Sequence, residues 1–100
     1  FINSGAIVEI NTTIGKHCFI ATGAVVGGSC KIGDQCFVGL NATVFDHTVV
    51  GHHSIIGAAT AIKRNVPPCT LAKTSSDTVD VAEYQIDEIC DKLVVQKNIR

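Results

Sequence analysis

Every sixth residue from position 2 to position 62 is Ile or Val: Ile2, Val8, Ile14, Ile20, Val26, Ile32, Val38, Val44, Val50, Ile56 and Ile62. Ile and Val together make up 24 of the 100 residues. At that frequency an unbroken register of this length arises by chance roughly once in ten million. A short fixed period marks a solenoid, in which each repeat is stable only when stacked on the next. A second register, four residues further on, holds small side chains: Ala6, Thr12, Cys18, Ala24, Cys30, Cys36, Ala42, Thr48, Ser54 and Thr60, with Val66 at its end. In the register following each aliphatic residue, Gly15, Gly27, Gly33, Gly39, Gly51 and Gly57 fill six of eleven places. That register is expected to form corners, where glycine supplies backbone freedom.

These registers describe a triangular coil of about 18 residues with three short strands, the coils lying ~4.8 Å apart. Each aliphatic residue and the small residue two positions before it point inward and fill a narrow core. The expected fold is an all-β solenoid, a left-handed parallel β-helix over residues 1–68. The interior position of Cys18, Cys30 and Cys36 makes them small buried hydrophobes. Stacked parallel side chains hold Cβ atoms slightly too far apart for a relaxed disulfide. No CxxC pair proposes a zinc site.

The residue before each inward aliphatic points outward. One column of that register is Phe1, Phe19, Phe37 and Ile55. In water such a ladder is an apolar patch of the size that marks an interface. It argues for a homotrimer with parallel prism axes and this face at or beside the contact.

The pattern breaks at Lys63-Arg64-Asn65-Val66-Pro67-Pro68, and prolines cannot donate to a ladder, so the coil is expected to stop there. A linker is read over 69–78. Asp80-Val81-Ala82-Glu83 then has the form of a capping box, and Ile86, Ile89, Cys90, Leu93 and Val94 recur at helical spacing. A C-terminal α-helix over 79–97, covering the last coil, is the expectation. The balance of 8 Lys and Arg against 9 Asp and Glu gives no footprint for nucleic acid or an anionic membrane. No apolar run approaches the ~20 residues of a membrane span and no signal segment opens the chain, which leads us to expect a cytoplasmic protein. A start in mid-pattern at Phe1 and the lack of Met suggest a piece of a longer polypeptide.

The stretch Ile14-Gly-Lys-His-Cys-Phe-Ile-Ala-Thr-Gly-Ala-Val-Val-Gly-Gly-Ser-Cys-Lys-Ile-Gly-Asp-Gln-Cys-Phe-Val-Gly-Leu-Asn-Ala-Thr-Val44 resembles the bacterial sugar acetyltransferases of the sialic-acid O-acetyltransferase type. That group includes nucleotide-amino-sugar N-acetyltransferases. Ile56-Gly-Ala-Ala-Thr-Ala-Ile-Lys-Arg-Asn-Val-Pro-Pro68 resembles their closing coil. The resemblance implies acetyl-CoA as co-substrate, a sugar amine or hydroxyl as acceptor, and a sugar-binding domain upstream of Phe1. It implies cofactor contacts at Leu40 and Ala58, with Lys63 or Arg64 near a phosphate.

The family's catalytic base is a histidine that takes a proton from the acceptor as it attacks the thioester. The matching position here is Ile10, in Val8-Glu9-Ile10-Asn11, and a second family histidine matches Phe19. Among the remaining histidines, His17, His47, His52 and His53, all at corner positions, His17 is nearest in sequence and is nominated as an alternative base. Three other readings share the scaffold. The first is a catalytically impaired homologue. The second is a γ-carbonic-anhydrase-like metal enzyme using His47 and His52, whose registers and flanking residues do not match. The last is a structural solenoid, whose ice-binding form needs outward Thr ladders that this chain lacks.

Overall fold

The computed structural model of the chain describes residues 1–74 and 81–85. Ten two-residue strands recur every six residues: β1 Ile7–Val8, β2 Thr13–Ile14, β3 Phe19–Ile20, β4 Val25–Val26, β5 Lys31–Ile32, β6 Phe37–Val38, β7 Thr43–Val44, β8 Val49–Val50, β9 Ile55–Ile56 and β10 Ala61–Ile62. Strands three apart in the chain pair in parallel with a register of 18 residues, as in Ile7 opposite Val25 and Phe19 opposite Phe37. The hexapeptide repeat therefore closes into a left-handed β-helix with three faces. Face one is β3-β6-β9, face two is β1-β4-β7-β10, and face three is β2-β5-β8.

Both inward registers occupy the positions that the period assigns them. Ile20, Val26, Val38, Val44 and Ile56 are fully buried, as are Ala24, Cys30, Ala42 and Ser54 from the small register. Burial thins at the first coil, where Val8 and Ile14 are half-buried and Ile2 is 50% exposed.

The small register is also sorted by polarity, and the backbone explains the sorting. Along the edge after face one it holds Ala6, Ala24 and Ala42, and in the last coil Thr60, whose hydroxyl donates to Ala58 O at 3.3 Å. There each turn closes on itself, with the alanine N–H donating to the carbonyl of Asn3, Ala21 or Gly39 at 3.1–3.2 Å. Along the other two edges the equivalent carbonyls lack that bond and accept from a side chain fifteen residues earlier. Cys18 Sγ donates to Gly33 O, Cys30 Sγ to Phe45 O and Cys36 Sγ to Gly51 O, each at 3.1 Å. Thr12 Oγ1 does the same to Gly27 O at 2.6 Å, and Ser54 Oγ bonds Pro67 O at 2.9 Å across thirteen residues, whereas Thr48 Oγ1 turns to Asp46 O in its own corner at 3.4 Å. A buried carbonyl needs a donor, and a residue with a hydroxyl or thiol supplies one where the turn does not. The three buried cysteines are free thiols. Burial pushes the Cys36 thiol up to about 11, since an ionised sulfur would lose its hydration there.

The glycine register serves a different purpose from the one expected. Its members do not take left-handed backbone angles. A Cβ on Gly33 would stand 2.7 Å from His52 N, and one on Gly39 would stand 2.8 Å from Ala58 N, both in the next coil. Close approach of stacked backbones, rather than torsion, excludes a side chain. The left-handed angle falls two residues later, at Gly5, Asn11, His17, Gly23, Ser29, Gln35, Asn41, His47, His53 and Ala59.

The C-terminal expectations need correction. The coil does not stop at the prolines. Val66 bridges to Val50, Pro67 and Pro68 form one more corner, and Thr70–Thr74 becomes strand β11, parallel to β9. Leu71 pairs with Ile55 and Ala72 with Ile56, so this turn is 16 residues instead of 18. The even shortening keeps Leu71 outside and Ala72 in the core. The expected linker over 69–78 thus contains a strand. Val81–Gln85, expected within the helix over 79–97, forms strand β12, antiparallel to β11. The parallel edge left by the last coil is satisfied by main-chain pairing, and this outweighs local helical preference. The rest of the expected helix, 79–80 and 86–97, lies outside the described residues.

Candidate functional site

Three edges separate the faces, and the corner residues on them carry the candidate chemistry. Leu40 and Ala58 lie on the first edge, after face one. They are stacked in adjacent coils by the bond from Ala59 N to Leu40 O at 2.8 Å, and both are exposed. Ile10, His47, Lys63 and Arg64 lie on the second edge, after face two. His17, His52 and His53 lie on the third edge, after face three. Within one protomer the nominated base and the nominated cofactor contacts are therefore not brought together. His17 and Leu40 flank face one from opposite sides. Ile10 is 73% exposed and holds no titratable group.

Gly28, without a side chain, leaves a groove of about 640 Å³ across the second edge, and Gly27 lines it beneath Asp46. Glu9 and Ile10 border it below; Phe45, Asp46 and Lys63 border it above. The Lys63 ammonium lies 5.9 Å from the centroid of the Phe45 ring, within cation–π range. Asp46 Oδ1 accepts the Gly28 N–H at 3.0 Å, which ties the groove floor to the coil above. Asp34 holds Lys16 N in the same way on the third edge, at 2.9 Å. The groove thus offers the Glu9 carboxylate at one end and, at the other, the Phe45 ring with the Lys63 ammonium. Sequence reasoning named Ile10 and Lys63 but not the groove between them. The signal for it was the glycine doublet, two adjacent corner positions without side chains.

A second cavity of about 580 Å³ lies at the last coil, lined by Ile62, Lys63, Arg64, Val66, Thr74 and Glu83 among others. It places both basic residues beside the β11–β12 hairpin.

Face one carries the expected aromatic ladder. Phe1 meets Phe19 edge-on at 5.3 Å between centroids, and Phe19 stacks on Phe37 at 5.2 Å with planes 6° apart. The second family histidine position, Phe19, is thus committed to stacking. Ile55, Leu71 and Tyr84 continue the ladder through paired positions, so the hairpin lengthens the apolar face. Phe37 remains 42% exposed in the single chain. Among the described residues, no group of three or more His, Cys, Asp or Glu gathers where a metal could bind, and no helix is long and apolar enough to cross a membrane.

Comparison with known proteins agrees with the fold. Residues 11–46 match the bacterial transferase hexapeptide family (six repeats). None of the curated proteins matches. Among solved structures, a His-to-Asn mutant of perosamine N-acetyltransferase from Caulobacter crescentus, in complex with CoA and GDP-perosamine, is similar at 26% identity and a TM-score of 0.75. The match covers 82% of this chain and 37% of that one. A His-to-Ala mutant of the same transferase gives 26% identity and a TM-score of 0.76, over 83% of this chain and 38% of that one. A hexapeptide-repeat acetyltransferase from Vibrio cholerae O1 biovar eltor, complexed with acetyl-CoA, shares the fold at 16% identity and a TM-score of 0.54, covering 82% and 70% of the two chains. This chain spans less than two fifths of the length of the Caulobacter protein.

Proposed function

Taking the chain as a hexapeptide-repeat β-helix similar to sugar N-acetyltransferases, we propose that it transfers an acetyl group from acetyl-CoA to an amine or hydroxyl of a sugar or nucleotide sugar. The observation that carries this reading is the likeness to a β-helix described in complex with both CoA and GDP-perosamine. In the reaction the acceptor lone pair attacks the thioester carbonyl carbon and a base removes the acceptor proton. The C–S bond then breaks, and the departing thiolate is protonated.

The reading includes a homotrimer with face one turned toward the threefold axis. Rotation about that axis brings the first edge of one protomer against the third edge of the next. Leu40 and Ala58 of one subunit then share a cleft with His17 of its neighbour, although they are separated within a chain. The apolar ladder from Phe1 to Tyr84 supports this arrangement, because a threefold contact removes it from water. The resemblance assigns Lys63 or Arg64 to a phosphate of the cofactor, and both lie on the second edge, across face two from Leu40 and Ala58.

A second reading is favoured by Ile10 and Phe19, which put hydrocarbon where both histidines of the resembled family stand: a homologue that keeps the trimer and lacks turnover. Calorimetry with CoA and a thiol-release assay with nucleotide amino-sugars separate the two. CoA binding with release that falls in His17→Ala supports the transferase. Binding without release for every acceptor supports the impaired homologue. No CoA binding at millimolar ligand removes the enzyme reading.

A further inference from the structure

His52 and His53 are adjacent in sequence, yet their side chains meet. Nδ1 of one ring lies 2.9 Å from Nδ1 of the other, with the ring planes at 89°. Consecutive residues in an extended chain point to opposite sides. Here the left-handed φ of 59° at His53 breaks that alternation. Neighbouring coils hold both residues from below and above. His53 N donates to Asp34 O at 2.8 Å, and His52 O accepts from Cys69 N at 2.9 Å. Neither ring lines the groove, and neither is given a role in the proposed acyl transfer, although both share the third edge with His17. Two imidazoles at this distance share one Nδ1 proton, or they present two lone pairs to one cation.

The spacing distinguishes between cations. Two nitrogens bound at ~2.0–2.1 Å are ~2.9 Å apart when they subtend a right angle at the metal and ~3.4 Å apart at the tetrahedral angle. The observed 2.9 Å is the length of an N–H···N hydrogen bond, and replacing that proton by a cation at the same separation corresponds to the right angle. We propose that His52 and His53 form a bidentate site for a divalent ion with square-planar or octahedral preference, Ni²⁺ or Cu²⁺. Each ring binds through Nδ1, and the proton they shared moves to a ring's Nε2, so binding needs no net deprotonation of neutral rings. The soft χ2 torsions of the rings let both lone pairs converge on the ion. Among the described residues no third His, Cys, Asp or Glu completes a metal cluster, so water fills the remaining positions.

The test is titration of the full chain, without a polyhistidine tag, with NiCl₂. Ni²⁺ is the probe because it does not oxidise the half-buried Cys69 thiol. Calorimetry gives stoichiometry and affinity, and paramagnetic broadening of histidine ring protons gives location. One Ni²⁺ per chain is expected, bound more tightly than Zn²⁺, with broadening of the His52 and His53 signals. Affinity should fall about tenfold or more in both His52→Gln and His53→Gln, and hold in His17→Gln and His47→Gln. Gln fits position 53, since Gln35 occupies the equivalent corner one coil below at φ 55°. Circular dichroism confirms that each variant is folded. Unchanged Ni²⁺ affinity in either pair variant, or Zn²⁺ binding at least as tight as Ni²⁺, overturns the assignment.

Discussion

Cys36 offers a test of whether the interior thiols act as donors or as small hydrocarbon. The residue is buried, and its Sγ donates at 3.1 Å to the Gly51 carbonyl in the next coil. Cys36→Ala deletes the donor and leaves a buried carbonyl unpaired, at a cost of ~1–3 kcal/mol. The cavity left by the sulfur adds ~1 kcal/mol. Cys36→Ser keeps the donor. Its column already holds Ser54, which makes the equivalent bond to Pro67 O at 2.9 Å, thirteen residues on because the last turn is two residues shorter. The Ser variant should therefore lose less than ~1.5 kcal/mol, mostly from the smaller volume. Urea unfolding followed by circular dichroism at one fixed protein concentration reads the difference. The predicted order of stability is wild type, then Ser, then Ala. If Cys36 is only a small apolar filler, burying a hydroxyl is worse than truncation and the order of the variants reverses. A Ser variant less stable than Ala refutes the donor argument.

The same thiol predicts an alkaline limb. Burial raises Cys36 from an ordinary value of 9.0 to about 11. Between those values the unfolded chain has released a proton that the folded chain retains, so stability falls as pH rises from about 9 toward about 11. Denaturation midpoints across that range should show this loss in the wild type and a smaller one in Cys36→Ser. Gly33→Ala should cost at least ~1–3 kcal/mol, because its Cβ meets backbone that cannot yield. Gly5→Asn, where the nearest atom lies 3.8 Å away and Asn accepts the left-handed angle, should stay within ~0.5 kcal/mol by the same unfolding assay. Phe37→Glu places a charge in the aromatic ladder and should shift sedimentation from the proposed trimer to monomer while leaving the β-sheet spectrum intact; a monomeric wild type refutes the trimer. Lys63→Ala should weaken CoA binding about tenfold by calorimetry, as expected for one charge-assisted contact.

The interior of the solenoid was legible because period and chemistry coincide: an aliphatic residue every six positions admits one way of facing inward. Phe1, Phe19, Phe37 and Ile55 were found by the same arithmetic, since an 18-residue register turns sequence spacing directly into stacking. The glycines were placed correctly and explained wrongly. Whether glycine serves torsion or clearance depends on the coil above, which is 18 residues away and silent in local reading. The C-terminal segment misled for a related reason. Asp80-Val81-Ala82-Glu83 reads locally as a capping box, but the unpaired edge beyond β9 recruited Thr70–Thr74, and β11 in turn recruited Val81–Gln85. The site was the least legible part. Ile10 and Lys63 were chosen by resemblance, whereas the groove between them depends on the side chain missing from Gly28.

The left-handed angle that recurs at the corners bears on how this scaffold acquires chemistry. Asn and His tolerate that angle better than most residues, and Asn11, Asn41, His17, His47 and His53 all adopt it. Three of the four histidines therefore have a conformational reason to be where they are, before any role in binding or proton transfer. The corners select imidazoles for their backbone tolerance and leave them facing solvent along the edges. A β-helix of this kind carries a standing stock of nucleophilic, basic and metal-binding rings at a fixed pitch. New activities can be assembled from that stock by moving one coil's contents against another, without inventing the residues themselves.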